Sequence, residues 1–196
     1  MSKRLFDILV SFFGLMILSP VFILLAMAIV LDSKGGVFYF QTRVGRYNKD
    51  FRLFKFRSMA SNSDKKGLLT VGFNDSRITR IGYFIRKYKL DELPQLINVL
   101  IGDMSLVGPR PEVRKYVDLY NVEQLKVLSV RPGITDYASI EYSNENEILG
   151  KSIDPEKTYI DEIMPAKLIL NMKYISEVGL ITDLKLIFAT IFKIIK

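Results

Sequence analysis

Neither cysteine nor histidine occurs among the 196 residues. The first absence excludes disulfide scaffolds, thiolate zinc sites and cysteine nucleophiles. The second removes the commonest general base, the histidine triads and histidine-ligated metals. Two phosphate-binding signatures are missing as well. There is no GxxxxGK[ST] and no GxGxxG, which argues against a P-loop enzyme or a Rossmann dinucleotide binder. Chemistry in this chain falls to carboxylates, lysine, tyrosine or hydroxyls. A metal would be a hard ion held by oxygen, such as Mg²⁺.

What is present is apolar and basic. Hydrophobic residues make up 49% of the chain and charged residues 25%, a mixture that folds. The length suits one domain with a real core. Mean hydropathy is +0.19, high for a freely soluble domain. A net charge of +7 suits nucleic acid, anionic lipid or phosphate-rich substrates alike.

Ile8 to Leu31 carries no charge. As a helix it would run roughly 36 Å, enough to cross a bilayer core of about 30 Å. The run exceeds a signal-peptide core, and no small-x-small cleavage site leads into an exported domain. Ser19-Pro20 sits near its middle. Pro20 removes a backbone donor and its ring clashes with the Met16 carbonyl, so a kink is expected there. The Ser19 hydroxyl is placed to bond a freed carbonyl. Lys3 and Arg4 precede the run, and Lys34, Arg43, Arg46, Lys49 and Arg52 follow it. Positive charge on both flanks suits a helix whose two ends face the cytoplasm. A kinked spanning anchor fits the residues equally well.

Val37–Gln41 and Phe51–Arg57 read as two short strands joined by a polar stretch, Thr42–Asp50. Phe51, Leu53 and Phe56 would face apolar surroundings. Arg52, Lys55 and Arg57 read individually as a solvated face. Ser58–Asn74 reads as a loop. Arg77–Tyr88 has the spacing of a basic amphipathic helix. A further helix follows from Leu93, Leu96, Ile97 and Leu100, with Pro94 in its first turn, Asp91 at or near its N-cap and Gly102 at its end. Val107–Glu112 is a stiff loop with Arg110 between two prolines, and Glu112–Asn121 looks helical. A possible strand covers Ile134–Tyr142, a loop Asn144–Asp154 and a helix Lys157–Val178. The tail, Ile181–Lys196, has one apolar side that suits either a lipid surface or the core. The fold class is mainly α with a small β-hairpin (α+β).

An adjacent Asp-Glu pair at a helix start usually caps it. Here Asp91 and Glu92 have Arg86 nearby and Arg110 in a stiff loop, and a helix N-terminus attracts anions. Together these suggest a place for phosphate beside a carboxylate. Such a carboxylate can hold Mg²⁺ or attack phosphorus to form an acyl phosphate.

At these residues the chain resembles the bacterial sugar transferases, monotopic phosphoglycosyltransferases that act on polyprenyl phosphate. The resemblance rests on Lys3-Arg4-Leu5-Phe6-Asp7, Ser19-Pro20, Gln41-Thr42-Arg43-Val44-Gly45, Phe54-Lys55-Phe56-Arg57-Ser58-Met59, Leu90-Asp91-Glu92-Leu93-Pro94-Gln95-Leu96, Gly102 to Pro111, and Arg131-Pro132-Gly133-Ile134-Thr135. It implies transfer of a phosphosugar from a UDP-sugar to polyprenyl (undecaprenyl) phosphate with release of UMP and use of Mg²⁺. Asp91 would be the nucleophile and Glu92 its partner, both able to hold metal. Arg86 and Arg110 would bind phosphate, with Lys55 and Arg131 as further anion contacts. Ser19 and Pro20 would break the membrane helix and make it re-entrant. Residues 1–33 would form that helix and 34–196 a catalytic domain on the cytoplasmic face of the bacterial inner membrane, closed by the amphipathic tail. The resemblance also implies a minimal form, without the extra membrane helices that some relatives carry.

One segment departs from the pattern. After Gly133-Ile134-Thr135 many relatives continue with Gly-Trp, whereas this chain has Asp136-Tyr137-Ala138-Ser139-Ile140. Sugar or nucleotide recognition is the property this departure touches. Two other readings compete: a non-catalytic basic protein of the membrane surface, and a nucleic-acid binder. The second lacks any reading motif and carries a lipid-like helix, so nucleic acid is not an expected partner.

Overall fold

The uncharged run lies in one long helix, α1 (Ser2–Asp32), of the computed structural model, which describes residues 2–60, 63, 69 and 75–195. Helical assignment continues through Pro20. Proline leaves the Met16 carbonyl without its usual N–H partner, and Ser19 Oγ donates to that carbonyl at 2.8 Å. Asp7 and Ser11, then Leu25 and Ile29, are buried at helical spacing on α1. Leu9, Phe12, Phe13, Ile17, Leu24 and Met27 stay exposed. The helix is long and apolar enough to cross a membrane.

Its first turns are tied to the rest of the molecule by polar side chains. Lys3 pairs with Asp183 and donates to the Val107 carbonyl. Arg4 donates to the carbonyls of Val99 and Leu100. Asp7 accepts from Ser105 Oγ and the Leu106 N–H.

Two antiparallel strands follow, β1 (Phe38–Val44) and β2 (Asp50–Phe56), with Gln41 opposite Leu53. The first strand is longer than its composition suggests. Val44 is buried and its N–H donates to the Glu112 carbonyl, which extends β1 through the polar residues. Arg57, expected on a solvated face, is buried instead. Its guanidinium donates to the carbonyls of Ile29, Ser33 and Lys34 and so closes the C-terminal end of α1.

Of the loop expected over 58–74, residues 61, 62, 64–68 and 70–74 lie outside the described ones. Helix α2 (Arg80–Lys87) starts later than the sequence predicts, because Thr79 Oγ1 accepts from the Gly82 N–H and caps it. Arg77 sits ahead of the helix and pairs with Asp75. Helix α3 (Gln95–Ile101) ends at Gly102, whose φ of 107° is the left-handed conformation that closes a helix.

Beyond it, β3 (Ser105–Val107) pairs in parallel with β4 (Gly133–Thr135). Between them the expected helix shrinks to α4 (Arg114–Val117), which buries Tyr116 and Val117. The strand expected over Ile134–Tyr142 stops at Thr135. Asp136 accepts a hydrogen bond from the Ser139 N–H and turns the chain into α5 (Tyr137–Glu141). The polar stretch after it holds α6 (Glu145–Gly150), pinned by buried Leu149. The long helical pattern is realised as α7 (Pro155–Thr158), a π turn (Tyr159–Ile163) and α8 (Met164–Ser176). The tail is α9 (Leu180–Ile195). It buries Asp183 and Leu186 but leaves Ile181, Phe188 and Phe192 exposed at 72%, 57% and 68%. Over the described residues the molecule is thus mainly helical with two small two-stranded sheets.

The β3–β4 contact admits no side chain at its crossing. A Cβ on Gly133 would lie 2.0 Å from the Gly108 nitrogen. Gly133→Ala is therefore expected to destabilise the protein by at least about 1–3 kcal/mol, since backbone cannot yield as a side-chain tip does. Thermal unfolding in detergent tests this; an unchanged midpoint would mean the two strands part freely.

Candidate active site

Asp91 and Glu92 lie in one 3₁₀ turn, Leu90–Glu92, between α2 and α3. The chain reverses just before it. Lys89 adopts the left-handed conformation (φ 55°) and donates to the Arg86 carbonyl. Leu90 and Leu93 then pack on the apolar cluster of Leu25, Ile29, Phe56 and Ile85. This leaves the two acids between them to face the opposite side. Pro94, not Asp91, occupies the N-cap of α3, and no side chain caps either the turn or the helix. The bland role of an Asp-Glu pair, capping, is therefore absent.

The two carboxylates have different surroundings. Arg110 holds Glu92 as a fork: Nη1 donates to Oε2 at 3.1 Å and Nη2 to Oε1. Lys55 Nζ donates to the same Oε1 at 3.1 Å. Asp91 is 6% exposed, and among the described residues its one salt-bridge contact is Lys55 Nζ at 3.9 Å. Burial raises the Asp91 carboxyl above the usual carboxylate range, against the pull of Lys55. Burial also acts to raise Glu92, but Arg110 and Lys55 together outweigh it and hold that carboxyl well below the usual range. Burial lowers Lys55, against the pull of both acids.

Each cation is positioned by a named contact. Asn98 is fully buried in α3. Its side chain accepts from the Phe54 N–H at 2.9 Å and donates to the Arg52 carbonyl at 2.8 Å. That bond pair fastens β2 to α3 and brings Lys55 over the acids. Arg110 lies between two prolines, which restrict its backbone. Its N–H donates to Asp136 at 3.3 Å, and the Gly133 N–H donates to the Pro109 carbonyl. On the other side of the loop, Arg43 donates to the Pro111 carbonyl and to Glu112.

Asp91, Glu92, Lys55, Arg110 and Arg43 line a cleft of about 1020 Å³. The four sequence-predicted phosphate ligands divide as follows. Lys55, Arg86 and Arg110 line the cleft with Asp91 and Glu92. Arg86 acts on Asp91 through its charge and favours the ionised form. Arg131 lies outside the cleft lining, and its Nε donates to the Gly102 carbonyl at 2.9 Å, behind α3. Sequence reasoning gave no role to Arg43 or Glu112, and it tied Asp136 to recognition without seeing its contact with Arg110. The first two fall within or beside the quoted motifs, but their partners are distant in sequence. Asp136 falls within the strand expected over Ile134–Tyr142, and the structure makes it the cap of α5 instead.

A divalent ion would find few protein ligands. Among the described residues no three acidic side chains gather as a metal site. Both oxygens of Glu92 already receive cationic donors, which leaves Asp91 the freer carboxylate. One or two carboxylates are what Mg²⁺ commonly takes from protein when substrate phosphates and water complete its shell, so the residues fit that ion.

A family model described as bacterial sugar transferase matches residues 1–196. The chain is 40% identical over 192 residues to the UDP-N-acetylgalactosamine-undecaprenyl-phosphate N-acetylgalactosaminephosphotransferase of Aeromonas hydrophila, an alignment covering 96% of this chain and 42% of that protein. It is 36% identical over 199 residues to the UDP-glucose:undecaprenyl-phosphate glucose-1-phosphate transferase of Escherichia coli (strain K12), covering 97% of this chain and 39% of that protein. An uncharacterized sugar transferase of Bacillus subtilis (strain 168) is 39% identical over 194 residues, covering 98% of this chain and 87% of that protein. The chain thus spans less than half the length of the first two relatives.

Proposed function

This chain belongs to the bacterial sugar transferase family, and on that premise we propose that it transfers a sugar 1-phosphate from a UDP-sugar to polyprenyl phosphate, releasing UMP, as the membrane step that begins a glycan. The observation that carries this reading is the division of labour between the adjacent acids. Glu92 is locked by hydrogen bonds from two cations, whereas Asp91 lines the cleft with Lys55 Nζ no nearer than 3.9 Å and Arg86 acting on it only through its charge.

In the proposed first step an Asp91 carboxylate oxygen attacks the phosphorus that bears the sugar. The bond from that phosphorus to the bridging oxygen breaks, and UMP leaves with the oxygen and the electron pair. In the second step an oxygen of polyprenyl phosphate attacks the same phosphorus, and the bond to Asp91 breaks. The carboxylate is restored and a polyprenyl-diphosphate sugar departs. Arg110, Lys55 and Arg86 stabilise the charge on the transferring phosphate. Glu92 keeps Arg110 and Lys55 aimed at it. Asp91, with Glu92 beside it, would hold Mg²⁺, which would supply further charge neutralisation.

The test is UMP release from a panel of UDP-sugars by protein in detergent, with polyprenyl phosphate as acceptor. Release that requires Mg²⁺ and stops with a chelator is expected. Binding to vesicles with no release from any donor would return the chain to a non-catalytic membrane-surface role.

The same proposal places α1 as a re-entrant helix in the bacterial inner membrane, with the catalytic body, residues 34–196, on the cytoplasmic face. The Ser19 bond to Met16, which supplies the carbonyl that Pro20 leaves free, supports a bent helix in lipid. The native chain has no cysteine, so single cysteines at Ser2 and Lys34 report topology cleanly. Both are expected to react with an impermeant thiol reagent only from the cytoplasmic side. Labelling from opposite sides would establish a span.

A further inference from the structure

We propose that the cleft wall built by α5, α6 and α8 reads the sugar of the donor, with Ser139 and Asn171 as specificity-determining side chains. This rests on the donor reading above and says where its variable part is recognised.

The cleft lining divides by chemistry. Strands β1 and β2, helix α2 and the loop around Arg110 contribute Arg43, Lys55, Arg86 and Arg110, the cationic end suited to phosphates. Helices α5, α6 and α8 contribute Ser139, Glu145, Lys167 and Asn171. The lysine in this second group is neutralised by Glu145 at 2.7 Å, so the wall offers hydrogen bonds rather than net charge. That is the surface a hydroxyl-bearing ring requires.

Two polar atoms in the wall lack partners among the described residues. They are Ser139 Oγ and Asn171 Oδ1, and Asn171 is only 6% exposed. Buried polar atoms normally have a hydrogen-bond partner, and an exception calls for a ligand or a reason. A hydroxyl and a primary amide are also the side chains that discriminate sugar hydroxyl and acetamido groups without adding charge.

Asp136 places this wall next to the phosphate clamp. One of its carboxylate oxygens accepts from the Arg110 N–H at 3.3 Å, the other from the Ser139 N–H at 2.6 Å. A sugar joined to a phosphate on Arg110 must lie within one ester bond of it. The backbone carrying Ser139 is held there by the same residue that holds Arg110. Ala138 and Ser139 both line the cleft.

The experiment compares UMP release from UDP-glucose, UDP-galactose and their N-acetylated counterparts for the full chain and for Ser139→Ala and Asn171→Ala. Each variant is expected to change the kcat/KM ratio between the best donor and its nearest competitor by about tenfold or more. The KM for polyprenyl phosphate should move by less than about twofold. Asn171→Ala should melt no lower than the parent, because it removes an unpaired buried acceptor. A purely structural Asn171 would instead lower the melting temperature and leave the donor ratios fixed, and that result removes it from the site. Robust release with unchanged ratios in both variants overturns the sugar wall alone. No release from any donor by the parent chain overturns the transfer reading itself.

Discussion

Asp91→Asn is expected to lower kcat/KM for UMP release by about 10⁴-fold or more, the scale of losing a nucleophile, without lowering thermal stability. The stability half of this expectation separates a nucleophile from a capping residue. A capping aspartate lost to a poorer residue costs about 1 kcal/mol. Asp91 caps nothing and is buried, and burial raises its carboxyl above the usual range. A carboxyl that binds its proton more tightly when folded gains stability as pH falls through the raised value, and at neutral pH its charge is a cost. The neutral amide removes that cost, while Lys55 keeps Glu92 at 3.1 Å. The melting temperature at neutral pH should thus equal or exceed that of the parent. The raised carboxyl also sets a pH profile. Attack needs the ionised form, so kcat/KM should fall on acidification at a pH above the ordinary carboxylate range. Lys55→Met removes a cation that favours ionisation and should move that limb to higher pH. Acid-quenched parent protein should retain label from a donor labelled in its sugar, and Asp91→Asn should not. Parent-like turnover by Asp91→Asn would remove the acyl-phosphate mechanism.

Periodicity read the helical elements well wherever an apolar face is long, as in α1, α8 and α9. It failed where a single side chain redirects the backbone. Asp136 ended a strand that Ile134–Tyr142 otherwise resembles, and Thr79 delayed α2 past Arg77. The acids were legible from local sequence together with the resemblance, but their unequal states were not. That inequality comes from Lys55 and Arg110, which lie 37 and 18 residues away from Glu92 along the chain. By its strand alone Lys55 reads as one cation on a solvated face, and only the resemblance makes it an anion contact. Its position over the acids depends on Asn98 joining β2 to α3, a contact with no signature in either segment. Arg131 is placed apart from the other cations. The resemblance implies an anion contact for it, and the fold puts its Nε on the Gly102 carbonyl, outside the cleft lining.

Arg110→Met is expected to cost both activity and stability, and the two losses should separate in a double variant. Removing one charge-stabilising donor from such a site lowers kcat/KM by about 10²–10³-fold. It also strips Glu92 of its fork and leaves a buried carboxylate with Lys55 alone. Loss of a fully buried partner costs about 3–5 kcal/mol, but Arg110 is one-third exposed and solvent screens part of the effect, so about 1–3 kcal/mol is expected. The pH dependence follows from Glu92. Its folded carboxyl lies below the usual range, so its contribution to stability is present above the unfolded value and disappears as pH falls through the folded one. Without Arg110, burial pushes that carboxyl up and the contribution is weakened or reversed. The gap in melting temperature between parent and Arg110→Met should therefore be widest near neutral pH and narrow on acidification. Adding Glu92→Gln to Arg110→Met removes the stranded charge. The double variant should regain most of the lost stability at neutral pH and none of the lost activity, because the guanidinium that meets the phosphate is still missing. A gap that does not change with pH, or a double variant no more stable than Arg110→Met, would mean that Glu92 does not depend on Arg110. In that case the locked acid beside a free one would not be the basis of the site.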